Sequence, residues 1–213
     1  MNNAGIGLSA SATPEQVMAT NLHGTRRVTD AFLPLLLRCG GGGGGGGRIV
    51  NVGSGAGGGF VQRCPADRQR ALCVPPASWE AIEALVCAAS ADGATGLGSA
   101  ADTMGGYGPS KAGVALHAML VAAQQPSLVA VCCTPGFIDT KLTAGFGASK
   151  SPEEGTAAIR HCLFAPVVDE GAAAAADGTG LRSGWYFGSD AVRSPLHFMR
   201  NPGEPPYDGV PPS

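Results

Sequence analysis

Two short apolar runs constrain the fold of this chain more than any other feature. Ile49–Val52 is rich in β-branched residues and bounded by glycine on both sides, and Leu128–Cys133 stops at a Pro-Gly pair. Apolar runs of this length between turn residues predict buried β-strands, and Trp185–Phe187 predicts a third. Because a helix over Pro109–Gln125 is predicted between the first two strands, the pattern favours an α/β domain with a parallel sheet.

Capping signals mark where the other helices begin. Thr13–Gln16 is a capping box with proline at the first helical position, and it predicts a helix that ends at about Leu37. Ser151–Glu154 is a second capping box, for a helix that ends at about Phe164. Ser78–Ser90 follows two prolines and places apolar side chains on one helical face. Helices therefore alternate with strands along most of the chain.

Three segments are predicted to lack regular structure. The tract Gly40–Gly47 has no side chains to bury and loses much entropy on ordering, which is typical of a surface loop. Outside the Ser78–Ser90 helix, residues 55–106 show no clear periodicity and are predicted to form loops. The proline-rich segment 195–213 is expected to be irregular. A composition of 44% hydrophobic and 14% charged residues indicates one globular domain over residues 1–213.

Charge and residue spacing argue against several classes of function. A formal net charge of −2 argues against a general attraction to nucleic acid or to an anionic membrane surface. No apolar run approaches the roughly 20 residues of a membrane span, so no membrane contact is expected. The 7 cysteines include no CxxC pair and the 4 histidines show no zinc-binding spacing, so no metal site is expected. We interpret the cysteines as reduced thiols of a cytoplasmic protein.

A phenol and an ammonium group stand four residues apart near the predicted beginning of the third helix. This spacing places Tyr107 and Lys111 on one helical face. A free tyrosine has a pKa of about 10, and a nearby cation favours the phenolate and lowers that pKa. The pair could therefore give a proton to an oxygen formed on a reduced carbonyl. The spacing alone fits a solvated helix face equally well.

Two polar residues could complete such a site. Ser54 follows the first strand at its carboxyl end, which is where ligands bind in open α/β sheets. Its hydroxyl could hold a carbonyl oxygen, although a loop serine is the simpler interpretation. Asn21 lies inside a predicted helix, where asparagine is a mediocre helix former. A structural hydrogen bond and a place in a proton relay both fit its amide.

One glycine-rich stretch satisfies a dinucleotide-binding pattern without its context. Gly53–Gly58 reads GxGxxG and follows a strand. In that motif a helix should open at once, whereas here Gly59 follows and a Cys-Pro pair comes soon after. No acidic residue lies about 20 positions on, where the motif would place one. We therefore predict that this stretch is not a phosphate loop.

Five motifs, in this order, resemble those of the short-chain dehydrogenase/reductase family. They are Asn2–Gly5, Asn21, Gly47–Ser54, Tyr107–Lys111 and Pro135–Thr140. The resemblance implies a Rossmann-like, doubly wound parallel sheet. Family members reach the first of these motifs only after their fourth strand. We therefore expect this chain to lack the N-terminal βαβαβ half of the fold, which holds the pyrophosphate of the cofactor.

Two further features are closer to one subgroup of that family. Residues 55–106 form an insertion between the serine and the tyrosine, which resembles the monomeric carbonyl reductases and the plant menthone and salutaridine reductases. Lys150–Gly155 is also similar to the carbonyl reductases. In that subgroup an inserted helix covers a face that other members use for oligomer contacts. The resemblance implies that Ser78–Ser90 is this helix and that the protein is a monomer.

The resemblance also implies a role for each site residue. Tyr107 would be the acid–base, Lys111 would lower its pKa and bind the ribose of the nicotinamide, and Ser54 would orient the substrate carbonyl. Asn21 would hold a water that links Lys111 to solvent. The nicotinamide would be framed by Pro135, Gly136, Ile138 and Thr140, and the ribose side of the cofactor would be lined by Asn3, Ala4 and Gly5.

These roles imply an oxidoreductase that reduces a small, lipophilic ketone or aldehyde with NADPH. NAD stays open as the cofactor, because the residues that select between the two belong to the half of the fold that we expect to be missing. Two alternatives also stay open. An epimerase or dehydratase could use a similar Tyr–Lys pair, and a truncated chain could act as a cofactor-free binding protein.

Overall fold

The computed structural model describes residues 1–7, 12–39, 47–88, 93, 95–168 and 178–212. Its elements in chain order are α1 Pro14–Met18, a π-helical turn Ala19–His23, α2 Gly24–Cys39, β1 Arg48–Val52, α3 Gly55–Gln62, α4 Ala66–Leu72, α5 Trp79–Val86, α6 Tyr107–Gln124, β2 Val129–Cys133, α7 Pro152–Phe164 and β3 Tyr186–Phe187. The glycine tract that we predicted to be a loop lies outside the described residues, apart from Gly47.

The strands form one parallel sheet in the order β1-β2-β3. Asn2 extends this order on the free side of β1, where it forms a parallel bridge with Asn51. The backbone N–H of Asn2 donates to Val50 O at 2.8 Å, and Val52 N donates to Asn2 O at 2.9 Å. Strands that follow each other in sequence are therefore neighbours in the sheet. Helical crossovers that all have the same handedness produce this order.

Helices cover both faces of the sheet, which confirms the predicted Rossmann-like, doubly wound architecture. On one face Val131 of β2 packs with Cys162 of α7 in a fully buried cluster. On the other face Cys132 packs with α6, whose residues are almost all buried. Alternate residues of the same strand thus enter different cores, because successive side chains of a strand point to opposite faces. Parallel sheets need this double cover.

The inserted helix α5 packs across the outer side of α6. Trp79, its first residue, contacts the rings of His23 and His117 edge-on, with centroids 5.5 and 5.9 Å away. The guanidinium of Arg26 lies 4.4 Å above the same indole ring. α5 ends at Val86, before the predicted end at Ser90, and residues 89–92 lie outside the described part of the chain. The insertion therefore shields α6 and the π-helical turn.

The prediction of loops through the rest of 55–106 is wrong, because the segment contains α3 and α4. α3 opens directly after β1, so one reason given against the glycine-rich phosphate motif is also wrong. The Ser54 hydroxyl accepts the backbone N–H of Ala56 at 3.2 Å and caps this helix. Gly57 lets α3 approach α6 closely, since a Cβ there would stand 2.9 Å from Ala112 N. Packing and capping thus outweigh the poor helix propensity of glycine.

The remaining boundaries agree with the sequence to within a few residues. Both predicted capping boxes are present, at Thr13 and Ser151. α6 begins at Tyr107, two residues before the predicted start at Pro109, so the tyrosine is itself helical. Residues 195–212 contain no helix or strand, as predicted. Among the described residues, no helix is both long and apolar enough to cross a membrane.

Candidate active site

Asn21 lies in the π-helical turn that interrupts the long N-terminal helix. Its side chain is 1% exposed and bonds the backbone of Ile6 in both directions, with Oδ1 accepting at 2.8 Å and Nδ2 donating at 2.9 Å. Nδ2 also donates to Ser110 Oγ at 3.0 Å. The amide therefore joins the segment after Asn3 to α6. Its two N–H groups are both occupied by protein acceptors.

Tyr107 is the first residue of α6, and Asp102 fixes the turn before it. The carboxylate of Asp102 accepts the backbone N–H of Gly106 at 2.8 and 2.9 Å. Gly106 has a φ of 84°, which favours glycine, and a Cβ at this position would stand 2.8 Å from Pro14 O. The tyrosine side chain is 8% exposed. Gly7 lies against its ring, where a Cβ would come within 2.5 Å of Cδ2.

Lys111 lies one helical turn after Tyr107 with its ammonium group buried. Nζ donates to the backbone carbonyl of Val52 at 2.9 Å and stands 5.6 Å from the centroid of the Tyr107 ring. Gly5 is close to the same group, because a Cβ on Gly5 would be 3.5 Å from Nζ and 3.3 Å from Asn21 Oδ1. The structure therefore brings Asn21, Tyr107 and Lys111 together with Gly5.

Burial, rather than charge, governs the titration of the pair. It raises the pKa of Tyr107, and the Ser54 side chain acts in the opposite direction. Burial also lowers the pKa of Lys111, against an opposing effect of Cys132. The expectation that Lys111 lowers the pKa of Tyr107 is wrong for this structure. Its ammonium is turned toward the Val52 carbonyl, and desolvation of the phenolate is the larger effect.

Ser54 and Tyr107 line one cavity of about 550 Å³ at the carboxyl end of β1. Gly136 and Thr134, which follow β2, line the same cavity, as do Phe137, Met104, Met199, Arg63, Lys150 and Arg200. The cavity thus lies where the carboxyl ends of adjacent parallel strands meet, which is the usual ligand position in this architecture. A volume of this size suits a small molecule.

The other predicted cofactor residues lie around this centre rather than in the cavity. Asn3, Ala4 and Gly5 are exposed, and Gly5 lies beside Lys111. Pro135 is half-buried between two residues that line the cavity. Ile138 turns its side chain toward α7, where its Cδ1 would be 2.5 Å from a Cβ on Gly155. Thr140 is exposed, and its hydroxyl is 3.2 Å from the hydroxyl of Thr143.

Sequence reasoning assigned no role to three groups of this site. Ser110 accepts the Asn21 amide and donates to Tyr107 O at 2.8 Å, which links two of the predicted residues. Its place inside the YxxSK motif was the available signal. Arg63 and Lys150 bring positive charge to the cavity. No sequence pattern predicts their convergence, because they belong to different elements that only the tertiary fold brings together.

The residues beside Lys111 fit the ribose end of a nicotinamide nucleotide. An ammonium carries three donors, and Val52 O is the partner that the structure gives to Nζ. Glycine at position 5 keeps the space next to Nζ and Asn21 Oδ1 clear, since a Cβ would partly fill it. Ribose hydroxyls are suitable acceptors for the remaining donors. No group of acidic, histidine or cysteine side chains among the described residues could hold a metal ion.

Comparison with known proteins agrees with this arrangement. Residues 1–65 match the family model described as short chain dehydrogenase. The matched part includes Asn2–Gly5, Asn21 and Ser54, whereas the Tyr107–Lys111 pair lies beyond it. A search of curated proteins found no match.

Two solved structures share the fold. Salutaridine reductase from Papaver somniferum is 22% identical, with a TM-score of 0.57, over 83% of this chain and 56% of that one. The carbonyl reductase Sniffer of D. melanogaster is 17% identical, with a TM-score of 0.52, over 90% of this chain and 63% of that one. The present chain therefore spans less than two thirds of the length of either reductase.

A parallel sheet covered on both faces, with Ser54 and Tyr107 at a cavity beside the strand ends, defines a Rossmann-like α/β protein. The match of residues 1–65 to that family model and the fold shared with the two reductases make this chain similar to short-chain dehydrogenases. They confirm the resemblance predicted from the sequence motifs, and in fold the chain is similar to the reductases named in that prediction.

Proposed function

We propose that the protein reduces a ketone or aldehyde to an alcohol with NADPH, and that Tyr107 is the general acid. The observation that carries this proposal is the convergence of Ser54 and Tyr107 on one cavity, with the Lys111 ammonium one helical turn behind the phenol. A hydroxyl and a phenol that face the same space can hold one carbonyl oxygen between them.

The cofactor, when bound, supplies a hydride to the carbonyl carbon. The substrate oxygen then takes the phenolic proton of Tyr107, so that a C–H bond and an O–H bond form and a phenolate remains. Because burial raises the pKa of Tyr107, the phenol stays protonated at neutral pH and is ready to donate. Ser54 orients the carbonyl, and Lys111 holds the ribose hydroxyls.

Asn21 acts in this proposal by holding Tyr107 and Lys111 in register. Its bonds to Ile6 and Ser110 fix the segment that borders the ribose position. A water held near the π-helical turn would return a proton to the phenolate, as the resemblance implies. The nicotinamide would rest against the segment that contains Gly136, Ile138 and Thr140.

The finer properties of the enzyme follow from the same resemblance. NADPH is proposed over NADH because the reductases of the similar subgroup imply it. A monomer is proposed because α5 covers the face of α6 and the π-helical turn. A cytoplasmic location is proposed because the cysteines with described side chains are free thiols. The substrate is a small carbonyl compound with a lipophilic part.

The decisive experiment follows NADPH oxidation in the presence of a carbonyl substrate. Tyr107→Phe should lower kcat by about 10²- to 10⁴-fold, because the general acid is lost while the ring stays in place. Tyr207→Phe, the same change in the C-terminal segment, should leave kcat unaltered. Undiminished turnover in Tyr107→Phe would overturn the mechanism. Product formation without net consumption of NADPH would favour an epimerase or dehydratase.

A further inference from the structure

The cavity that contains Tyr107 carries an excess of positive charge. Three cationic side chains line it, those of Arg63, Lys150 and Arg200, and no lining residue is a carboxylate. Arg200 is neutralised, because its guanidinium forms a salt bridge with Asp190 and also donates to Ser194 Oγ at 3.0 Å. Arg63 and Lys150 thus remain as two cations without a salt bridge among the described residues, in a chain whose formal net charge is −2.

Lys150 is held in the cavity by a neutral partner. Nζ donates to Ser189 Oγ at 2.9 Å, and it lies next to Gly136, where a Cβ would be 3.3 Å away. Glu154, four residues further on, interacts electrostatically with Lys150, but its carboxylate belongs to the capping box of α7, in which it accepts Ser151 N at 2.7 Å. No carboxylate of the described chain forms a salt bridge with Lys150.

Arg63 is similarly free for a ligand. Its Nε donates to Ala101 O at 3.1 Å, which fixes the direction of the side chain and leaves the terminal N–H groups available. Within the described part of the chain it has no salt bridge. A guanidinium whose planar donor pairs are free is suited to bidentate binding of a carboxylate.

Apolar side chains also line the cavity, together with uncharged polar residues such as Thr134 and Asn201. Met104, Phe137, Met199 and Pro202 line it together with the cations. A ligand that matches both the cationic and the apolar lining residues has an apolar body and an anionic group, and its carbonyl lies at Tyr107. We infer that the preferred substrate is a lipophilic oxo acid, whose carboxylate is bound by Lys150 and Arg63. This inference rests on the proposed reduction and names its substrate class.

The magnitude of the preference follows from the strength of charged hydrogen bonds. A hydrogen bond to a charged group in a partly buried site changes affinity by about ten- to a hundredfold. We expect the kcat/KM for an aryl oxo acid to exceed that for its methyl ester by about this factor. The preference should shrink as ionic strength rises, because Lys150 is half-buried and Arg63 is exposed.

The test compares the acid and its methyl ester in four proteins: the wild type, Lys150→Gln, Arg63→Gln and Lys141→Gln. Lys150→Gln and Arg63→Gln should each remove about tenfold of the preference for the acid over the ester, measured as the ratio of the two kcat/KM values. Lys141→Gln removes the same charge from the same segment but does not line the cavity, so it should retain the preference. Equal kcat/KM values for acid and ester in the wild type would overturn the inference.

Direct binding separates this inference from the proposed function. Calorimetric titration with the oxo acid measures affinity without turnover. If the acid binds in a manner that depends on Lys150 and Arg63 but is not reduced, the substrate class stands and the proposed reduction fails. If acid and ester are reduced equally well, the reduction stands and the inference fails. A loss of NADPH affinity in both variants equal to the loss for the acid would assign the cations to the cofactor and would also overturn it.

Discussion

The ammonium nitrogen of Lys111 donates a 2.9 Å hydrogen bond to the backbone carbonyl of Val52, the last residue of β1. This bond fastens α6 to the carboxyl end of the strand that is followed by Ser54. The serine and the lysine of the site are therefore positioned by a single contact between main chain and side chain. Any shift of α6 along the sheet would break it.

Lys111→Met should separate cofactor binding from stability. Lys111 is 6% exposed, and its replacement removes the desolvation cost of a buried charge but leaves the Val52 carbonyl without this donor, so the free energy of unfolding should change by no more than about 1–3 kcal/mol. Cofactor affinity should fall by about tenfold or more, since the proposed ribose contacts are lost. Fluorescence titration with NADPH and thermal unfolding measure the two effects. Lys141→Met is the matched control, and an unchanged Kd in Lys111→Met would contradict the proposed ribose contact.

The pH dependence of reduction should have a high alkaline limit. Because burial raises the pKa of Tyr107, the phenol is protonated across neutral pH, and kcat should fall only as pH rises past about 10. Ser54 lowers that pKa, so Ser54→Ala should move the alkaline limit to higher pH while reducing kcat. A pH–rate profile of the wild type and of Ser54→Ala measures the direction in which the alkaline limit moves. A limit that moves to lower pH in Ser54→Ala would show that Ser54 does not act on the phenol.

Two glycines of α3 should respond oppositely to the same substitution. In Gly57→Ala the new Cβ would stand 2.9 Å from backbone atoms of both Lys111 and Ala112, and we expect a loss of about 1–3 kcal/mol. In Gly59→Ala the nearest atom is the flexible Arg63 Nη1 at 3.4 Å, so better helix propensity should raise stability by about 0.5–1 kcal/mol. Urea denaturation gives both values. Equal effects would disprove the close approach of α3 and α6.

Acid should destabilise the fold through His117. Burial lowers the pKa of His117 to about 4, with a smaller opposing effect of Asp30 and a smaller effect of Arg26 in the same direction as burial. An unfolded histidine has a pKa of about 6.5, so the free energy of unfolding is maintained above pH 6.5 and lost as pH falls toward 4. The loss from this group is on the order of 3 kcal/mol.

The contribution of His117 can be isolated by replacing it. Unfolding of the wild type and of His117→Gln should be compared at several pH values between 6.5 and 4. The variant should be less stable at neutral pH, because the ring packs against Trp79, but its stability should vary less across this range. The same slope in both proteins would mean that other groups cause the acid sensitivity.

Local signals were sufficient for the capped helices and the apolar strands. Thr13 and Ser151 accept the hydrogen bonds that a capping box specifies, so each helix begins where the residues predict. The helix α3 could not be found in this way, because half of its residues are glycine. It is held by the approach of Gly57 to α6, a contact between distant parts of the chain. Helix propensity therefore failed to predict α3, because tertiary packing determines whether this segment is helical.

The candidate site was predictable to the extent that it is carried by motifs. The motifs identified Asn21 and Tyr107 as site residues, and the structure places each of them near other motif residues. The backbone carbonyl of Val52, which accepts a hydrogen bond from Lys111, has no signal in the sequence. The direction of the pKa of Tyr107 was not predictable either. It depends on how far the phenol is buried, and spacing along a helix carries no information about depth.

The π-helical turn Ala19–His23 lowers the stability of the N-terminal helix at the residue, Asn21, that belongs to the candidate site. A π-helical turn inside an α-helix is rare, and such turns are found mostly at functional sites. Deletion of one residue would let α1 and α2 fuse into a regular helix and would turn Asn21 away from Ile6 and Ser110. Selection for heat resistance alone would favour that deletion, so at this turn greater stability and the proposed activity would oppose each other.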